Sequence, residues 1–175
     1  MKAIGVDPGR TIGLCLYDLD ARRVIDACEC RFAEDAVDVV HAWRRDHDYP
    51  RVAIEWPRAY GIAGNDIADA CAQAGALYWA CGGRLLPAEP EDPRIGDTCV
   101  VALTRQQVTK RLSQELAEQV KGDAGVWSAL LTIHGGKGVA DKRSTKASPE
   151  AGPLSLLAGK PHAKAALAVA WAAFG

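Results

Sequence analysis

Lys2-Ala3-Ile4-Gly5-Val6-Asp7-Pro8-Gly9 is a short apolar run that stops on an acid and a tight turn. It reads as a buried strand over Lys2–Asp7. Ile12–Asp18 reads as a second strand, residues 18–22 as a polar turn, and Arg23–Cys30 as a third strand. Strands joined by such short connections suggest an antiparallel meander. Further along, Val52-Ala53-Ile54-Glu55-Trp56 repeats the first pattern, an apolar strand (51–56) that runs onto an acid before Pro57 stops it.

Between and beyond these strands the apolar spacing is helical. Val37, Val40, Ala42 and Trp43 place a helix over 36–46, with Asp35 as its expected N-cap. An Ala-rich amphipathic helix is expected over 65–81, ended by Gly82-Gly83, and a further strand over 84–88. Thr104 with Gln107 forms a capping-box signature for a helix over 104–120, and another helix is expected over 123–134. Residues 135–160 are rich in Gly, Lys, Ser and Pro and read as a mobile basic loop; Pro161–Phe174 closes the order as a helix. The sum is a single α/β domain built on a mixed sheet.

The 175 residues suffice for one domain with a sizeable core, and the formal net charge is -1. Bulk charge therefore does not announce a nucleic-acid binder, and any such surface must come from local clusters of Lys and Arg. No stretch approaches the roughly 20 apolar residues that cross a membrane. Met1-Lys2 leads into a run broken by Asp7, which does not read as a signal peptide, so a cytoplasmic protein without membrane partners is expected. The six cysteines include no C-x-x-C pair. They read as small buried hydrophobes in a reducing compartment rather than as zinc ligands.

Asp7 and Glu55 are the first candidates for chemistry. A carboxylate at the end of a buried strand is costly unless it is paired or bound to a cation. If the two strands are neighbours, both acids meet at one sheet end and repel unless a divalent ion lies between them. Taken singly, Asp7 in D-P-G also suits a turn, and Glu55 a solvated strand end. His162, at the start of the last helix, reads by itself as a surface histidine.

Taken in order, these segments resemble the RuvC-type Holliday junction resolvases of the RNase H-like superfamily. Ile4-Gly5-Val6-Asp7-Pro8-Gly9 with Thr11-Ile12-Gly13 resembles the first motif of that family, and Ala53-Ile54-Glu55 the second. Thr104-Arg105-Gln106-Gln107-Val108-Thr109-Lys110 is similar to its basic Pro-Arg-Gln-Val-Lys-Lys segment. His162 with Ala166-Leu167-Ala168-Val169-Ala170 is similar to its last motif. The resemblance implies an RNase H-like fold, a mixed five-stranded sheet with helices on both faces. It implies a Mg²⁺- or Mn²⁺-dependent endonuclease of branched DNA, the four-way junction, with Asp7, Glu55 and His162 as catalytic metal ligands. It departs at Ala165, where the family has a second acid one turn after the first; Glu150, Asp141 or water are the expected substitutes.

Arg105, Lys110 and Arg111, and the loop cations Lys137, Lys142, Arg143, Lys146 and Lys160, are candidate phosphate contacts. Arg58 and Tyr60 follow Glu55; in the resembled family an aromatic here helps unstack bases, and Tyr60 is the candidate, with Trp56 second. Ala68, Cys71, Ala72, Gly75, Ala76 and Trp79 give the 65–81 helix a small-residue face, where the resemblance implies a homodimer contact. Two rival readings follow. Ala165 suits a binding module with weak or no catalysis, and the fold also serves nucleases of RNA–DNA hybrids or other DNA substrates.

Overall fold

A computed structural model describes residues 1–57, 65–82, 100–117, 119–134 and 154–175. Among these, five strands form one sheet in the order β3-β2-β1-β4-β5. The strands are β1 (Lys2–Asp7), β2 (Ile12–Asp18), β3 (Arg23–Cys30), β4 (Arg51–Glu55) and β5 (Val100–Leu103). The first three form the antiparallel meander, and β4 and β5 add in parallel beside β1. β1 is therefore central, which is why its sequence is apolar on both faces.

The strand alternation divides the core in two. Ile4, Val6, Leu14, Leu16, Val52 and Ile54 point to one face, under helices α1 (Ala33–Asp46) and α2 (Asn65–Ala80). Cys15, Tyr17 and Ala53 point to the other, under α3 (Arg105–Leu116), α4 (Gly122–Ile133) and α5 (Pro161–Phe174). Ala163, Ala166, Leu167, Ala168, Val169 and Ala170 are all fully buried, so α5 is apolar around most of its circumference. It lies between the sheet and the α3–α4 pair, and burying a side chain such as Leu167 contributes about 1.5–3 kcal/mol. Tyr17 ties β2 to the end of α4 through a 2.6 Å hydrogen bond to Nε2 of His134.

The three-strand meander, β4 and α5 stand where the sequence puts them. Elsewhere the structure corrects the expectations. The fifth strand is Val100–Leu103, a four-residue run hidden against the Thr104 cap; the expected strand at 84–88 lies outside the described residues. α1 starts a turn early at Ala33, behind Phe32, with no side-chain cap. Asp35 instead lies in the first turn with Glu34, where negative charge complements the helix dipole. The Thr104–Gln107 capping box forms as read, but α3 ends at Leu116, before residue 120, because Ala117 turns left-handed at φ 52. Of the 135–160 segment, 135–153 lie outside the described residues. Leu154 and Leu157 bury themselves around a 3-10 turn, Ser155–Leu157.

Candidate active site

Asp7 and Glu55 end neighbouring parallel strands. The β1–β4 register pairs Val6 with Ile54, so the next positions along are Asp7 and Glu55. Adjacent strands run about 4.8 Å apart, and the two carboxyl groups open on one cavity of about 500 Å³. Their side chains are 18% and 15% exposed.

His162 arrives from the opposite end of the chain. Its Nδ1 lies 3.2 Å from Oδ2 of Asp7. With Nδ1 donating to the carboxylate, Nε2 is left to accept a proton or meet a cation. Two features hold it there. Glu29, the middle residue of the Cys28-Glu29-Cys30 stretch on β3, accepts from the backbone N–H of His162 at 2.8 Å and of Ala163 at 3.4 Å. A carboxylate at this position satisfies orphan amides of the α5 N-terminus and complements its dipole. Gly13 is the cross-strand partner of Asp7, and a Cβ there would fall 2.1 Å from the His162 carbonyl. Only glycine lets the helix start this close to the strand.

Arg105 and Asp123 complete the polar lining. Arg105 stands at the first position of α3, fixed by the capping box behind it. Its Nη1 donates to Oε2 of Glu55 at 3.1 Å, and its Nη2 donates to Oδ1 of Asp123 in the first turn of α4. Trp127, with Lys164 Nζ 4.5 Å from its ring centroid, forms an apolar wall beside Ala165. Among the described residues no three His, Cys, Asp or Glu side chains converge into a ready-made cage for an ion.

Burial raises the Asp7 carboxyl above its ordinary value, against the hydrogen bond and charge of His162 and the charge of Arg105. Glu55 is pushed up to about 7, foremost by burial, with Arg105 opposing and the charge of Asp7 adding to the rise. The metal-free folded state thus holds the Glu55 proton more tightly than the unfolded chain, whose value is 4.5. Stability should fall as pH rises from 4.5 through about 7, by a total on the order of 1–3 kcal/mol. Urea unfolding in a chelator at pH 5 and pH 8 reads this slope. Glu55→Gln should flatten it, and an unaltered slope in that variant would assign it elsewhere.

A Thermus thermophilus RuvC structure superposes with a TM-score of 0.54 at 17% identity, covering 98% of this chain and 92% of that one. T. thermophilus RuvC in complex with a Holliday junction substrate gives a TM-score of 0.51 at 20% identity, over 98% and 91%. The chain has the RuvC fold. No protein-family model and no curated protein matches it. The RNase H-like architecture expected from the element order and the ordered motifs is the one observed, and at this level of identity the RuvC likeness speaks for the fold alone.

Within the RuvC fold, Asp7, Glu55, His162 and Arg105 meet in the cavity, while Lys110 and Arg111 are exposed on α3 outside its lining. Arg111 donates to the Gly175 carbonyl at 3.4 Å. Lys160 does not project freely; its Nζ donates to the Ala27 carbonyl at 2.6 Å, tying the start of α5 to β3. Trp56 packs edge-on against Tyr78 of α2, ring centroids 5.9 Å apart, which makes it a packing residue. Arg58, Tyr60, Lys137, Lys142, Arg143 and Lys146, like Asp141 and Glu150, lie outside the described residues. Sequence reasoning missed Glu29 and Asp123. The one signal for Asp123 is an acid opening a helix, which usually means only dipole complementation.

Proposed function

We propose that this chain is a divalent-metal-dependent endonuclease that cleaves phosphodiesters in branched DNA, with the four-way junction as substrate. The observation that carries the reading is the meeting of Asp7 and Glu55 at the ends of adjacent central strands, with His162 against Asp7. The RuvC fold supports it, since one structure of that fold holds a Holliday junction.

The donor set suits Mg²⁺ or Mn²⁺. Two mostly buried carboxylates at adjacent strand ends offer hard oxygen donors that match these ions, with His162 adding a softer nitrogen donor. Asp7, Glu55 and His162 would hold the metal, the rest of its shell being water and phosphate oxygen. The bound ion would supply a hydroxide-like nucleophile and charge for the leaving oxygen. The protein's own part is positional. The strand ends fix both carboxylates, Glu29 and Gly13 fix His162, and Nε2 is placed to take up or return a proton. Lys110, Arg111, Arg58 and the cations at 137–146 would contact phosphates, with Tyr60 against the unstacked bases.

Cleavage of a synthetic four-way junction, compared with linear duplex and an RNA–DNA hybrid in Mg²⁺ and Mn²⁺, tests the reading. Symmetric paired nicks confined to the junction are expected; equal cutting of the hybrid would sink junction specificity. Ala165 in the cavity wall favours one alternative, a junction-binding module without catalysis. A gel shift with no cleavage in either metal would select it.

A four-way junction is two-fold symmetric, so a homodimer is part of the proposal. Ala68, Ala72, Ala76 and Trp79 lie exposed along one face of α2, Trp79 at 57%. Trp79→Glu should convert the dimer to monomer in sedimentation equilibrium while leaving the fold intact. A variant that still sediments as a dimer would move the interface elsewhere.

A further inference from the structure

Arg105 occupies an unusual place for a residue expected only to meet phosphate. Its two terminal nitrogens are divided between two acids on different elements, Glu55 at the end of β4 and Asp123 at the start of α4. The inner acid is 15% exposed and the outer one 89%. The guanidinium therefore spans the cavity from its buried wall to its solvent edge.

The geometry points to Arg105 as a built-in counter-ion that competes with the divalent metal for Glu55, with Asp123 as its outer anchor. This rests on the metal-dependent reading above. A carboxylate whose Oε2 already accepts from Arg105 at 3.1 Å has that lone-pair region engaged, and a second cation there would meet the guanidinium at close range. Occupation of the site requires Arg105 to release Glu55. The backbone need not move for this, because the Thr104–Gln107 box clamps the base of the side chain, with Thr104 N–H donating to Gln107 Oε1 at 2.7 Å. Rotation about the side chain carries the head toward Asp123 and the mouth of the cavity, where a phosphate would meet it. One residue then serves two states: it neutralises the carboxylates when no ion is present and faces the DNA backbone when one is.

The test uses the full-length protein and Mn²⁺ alone, without DNA, with free Mn²⁺ followed by electron paramagnetic resonance. Arg105→Gln should bind Mn²⁺ about two- to fivefold tighter than the wild type, the range set by a partly shielded ion pair. A structural role alone would weaken binding, not tighten it. Asp123→Asn, which leaves Arg105 to Glu55 alone, should weaken binding in the wild-type background and do so less in the Arg105→Gln background. Should Arg105→Gln fold poorly by circular dichroism, Arg105→Lys keeps the charge but cannot span two acids. Its affinity should fall between the other two. Equal affinity of wild type and Arg105→Gln overturns the counter-ion role while leaving the metal site standing. No Mn²⁺ uptake by either protein overturns both.

Discussion

Asp7→Asn should abolish cleavage while leaving junction binding nearly intact. The substitution keeps size and shape but removes the charge that two cavity neighbours, His162 and Arg105, both feel. Transition-state charge stabilisation by a properly held ion amounts to several kcal/mol, so a loss of roughly a thousandfold or more is expected. No phosphate contact is removed, and gel-shift affinity measured in a chelator should change little. The metal-free variant should also be more stable than the wild type above neutral pH, because a buried carboxyl with a raised proton affinity is gone. The stabilising effect of Mn²⁺ on thermal unfolding should shrink in parallel. Wild-type cutting by the variant would show that Asp7 is not a metal ligand.

Gly13→Ala should be nearly as damaging, although it introduces one methyl group and alters no charge. That methyl would lie 2.1 Å from the carbonyl carbon and oxygen of His162 and 2.6 Å from the next amide. All three are backbone atoms, so no side chain can turn aside, and the first turn of α5 must shift. A displacement on the order of 1 Å at a reacting group costs about a hundredfold in rate. The matching change at Gly5 would strike the Ala166 carbonyl at 1.8 Å, in the middle of the same helix and beneath the core. Gly5→Ala should therefore act on stability, with denaturant midpoints falling by the equivalent of about 3–5 kcal/mol. Gly13→Ala should act chiefly on turnover. If both lost stability alike with turnover per folded molecule unchanged in Gly13→Ala, the close approach to His162 would not be what positions the histidine.

The parts of the fold that were legible in the sequence are those where one physical demand dominates. β1 and β2 are apolar runs that each end on an Asp, and α5 opens on Pro161 and is apolar beyond Lys164, so their limits could be read directly. β5 was not, because four residues of Val, Val, Ala and Leu against a strong helix cap give no period to detect. The candidate site was half legible. Asp7 and Glu55 advertise themselves as acids ending hydrophobic strands, and the family resemblance drew in His162. Glu29 was masked by its flanking cysteines, and Asp123 by an ordinary reason for an acid at a helix start. Arg105 was found but given one task, since a partner 50 residues away is a property of the fold and not of spacing. Lys160 stands among the candidate phosphate contacts because sequence carries no information on a carbonyl 133 residues distant.

The contact between Asp7 and His162 joins residues 155 positions apart. At 5–20 residues per second, the ribosome emits the second roughly 8–30 seconds after the first. Throughout that interval the growing polypeptide holds its strand-end acids without the histidine that faces them, and β1 and β2 lack the helix that covers them. The facing of Asp7 by His162 is therefore a late event of synthesis, possible only once the first turn of α5 has emerged.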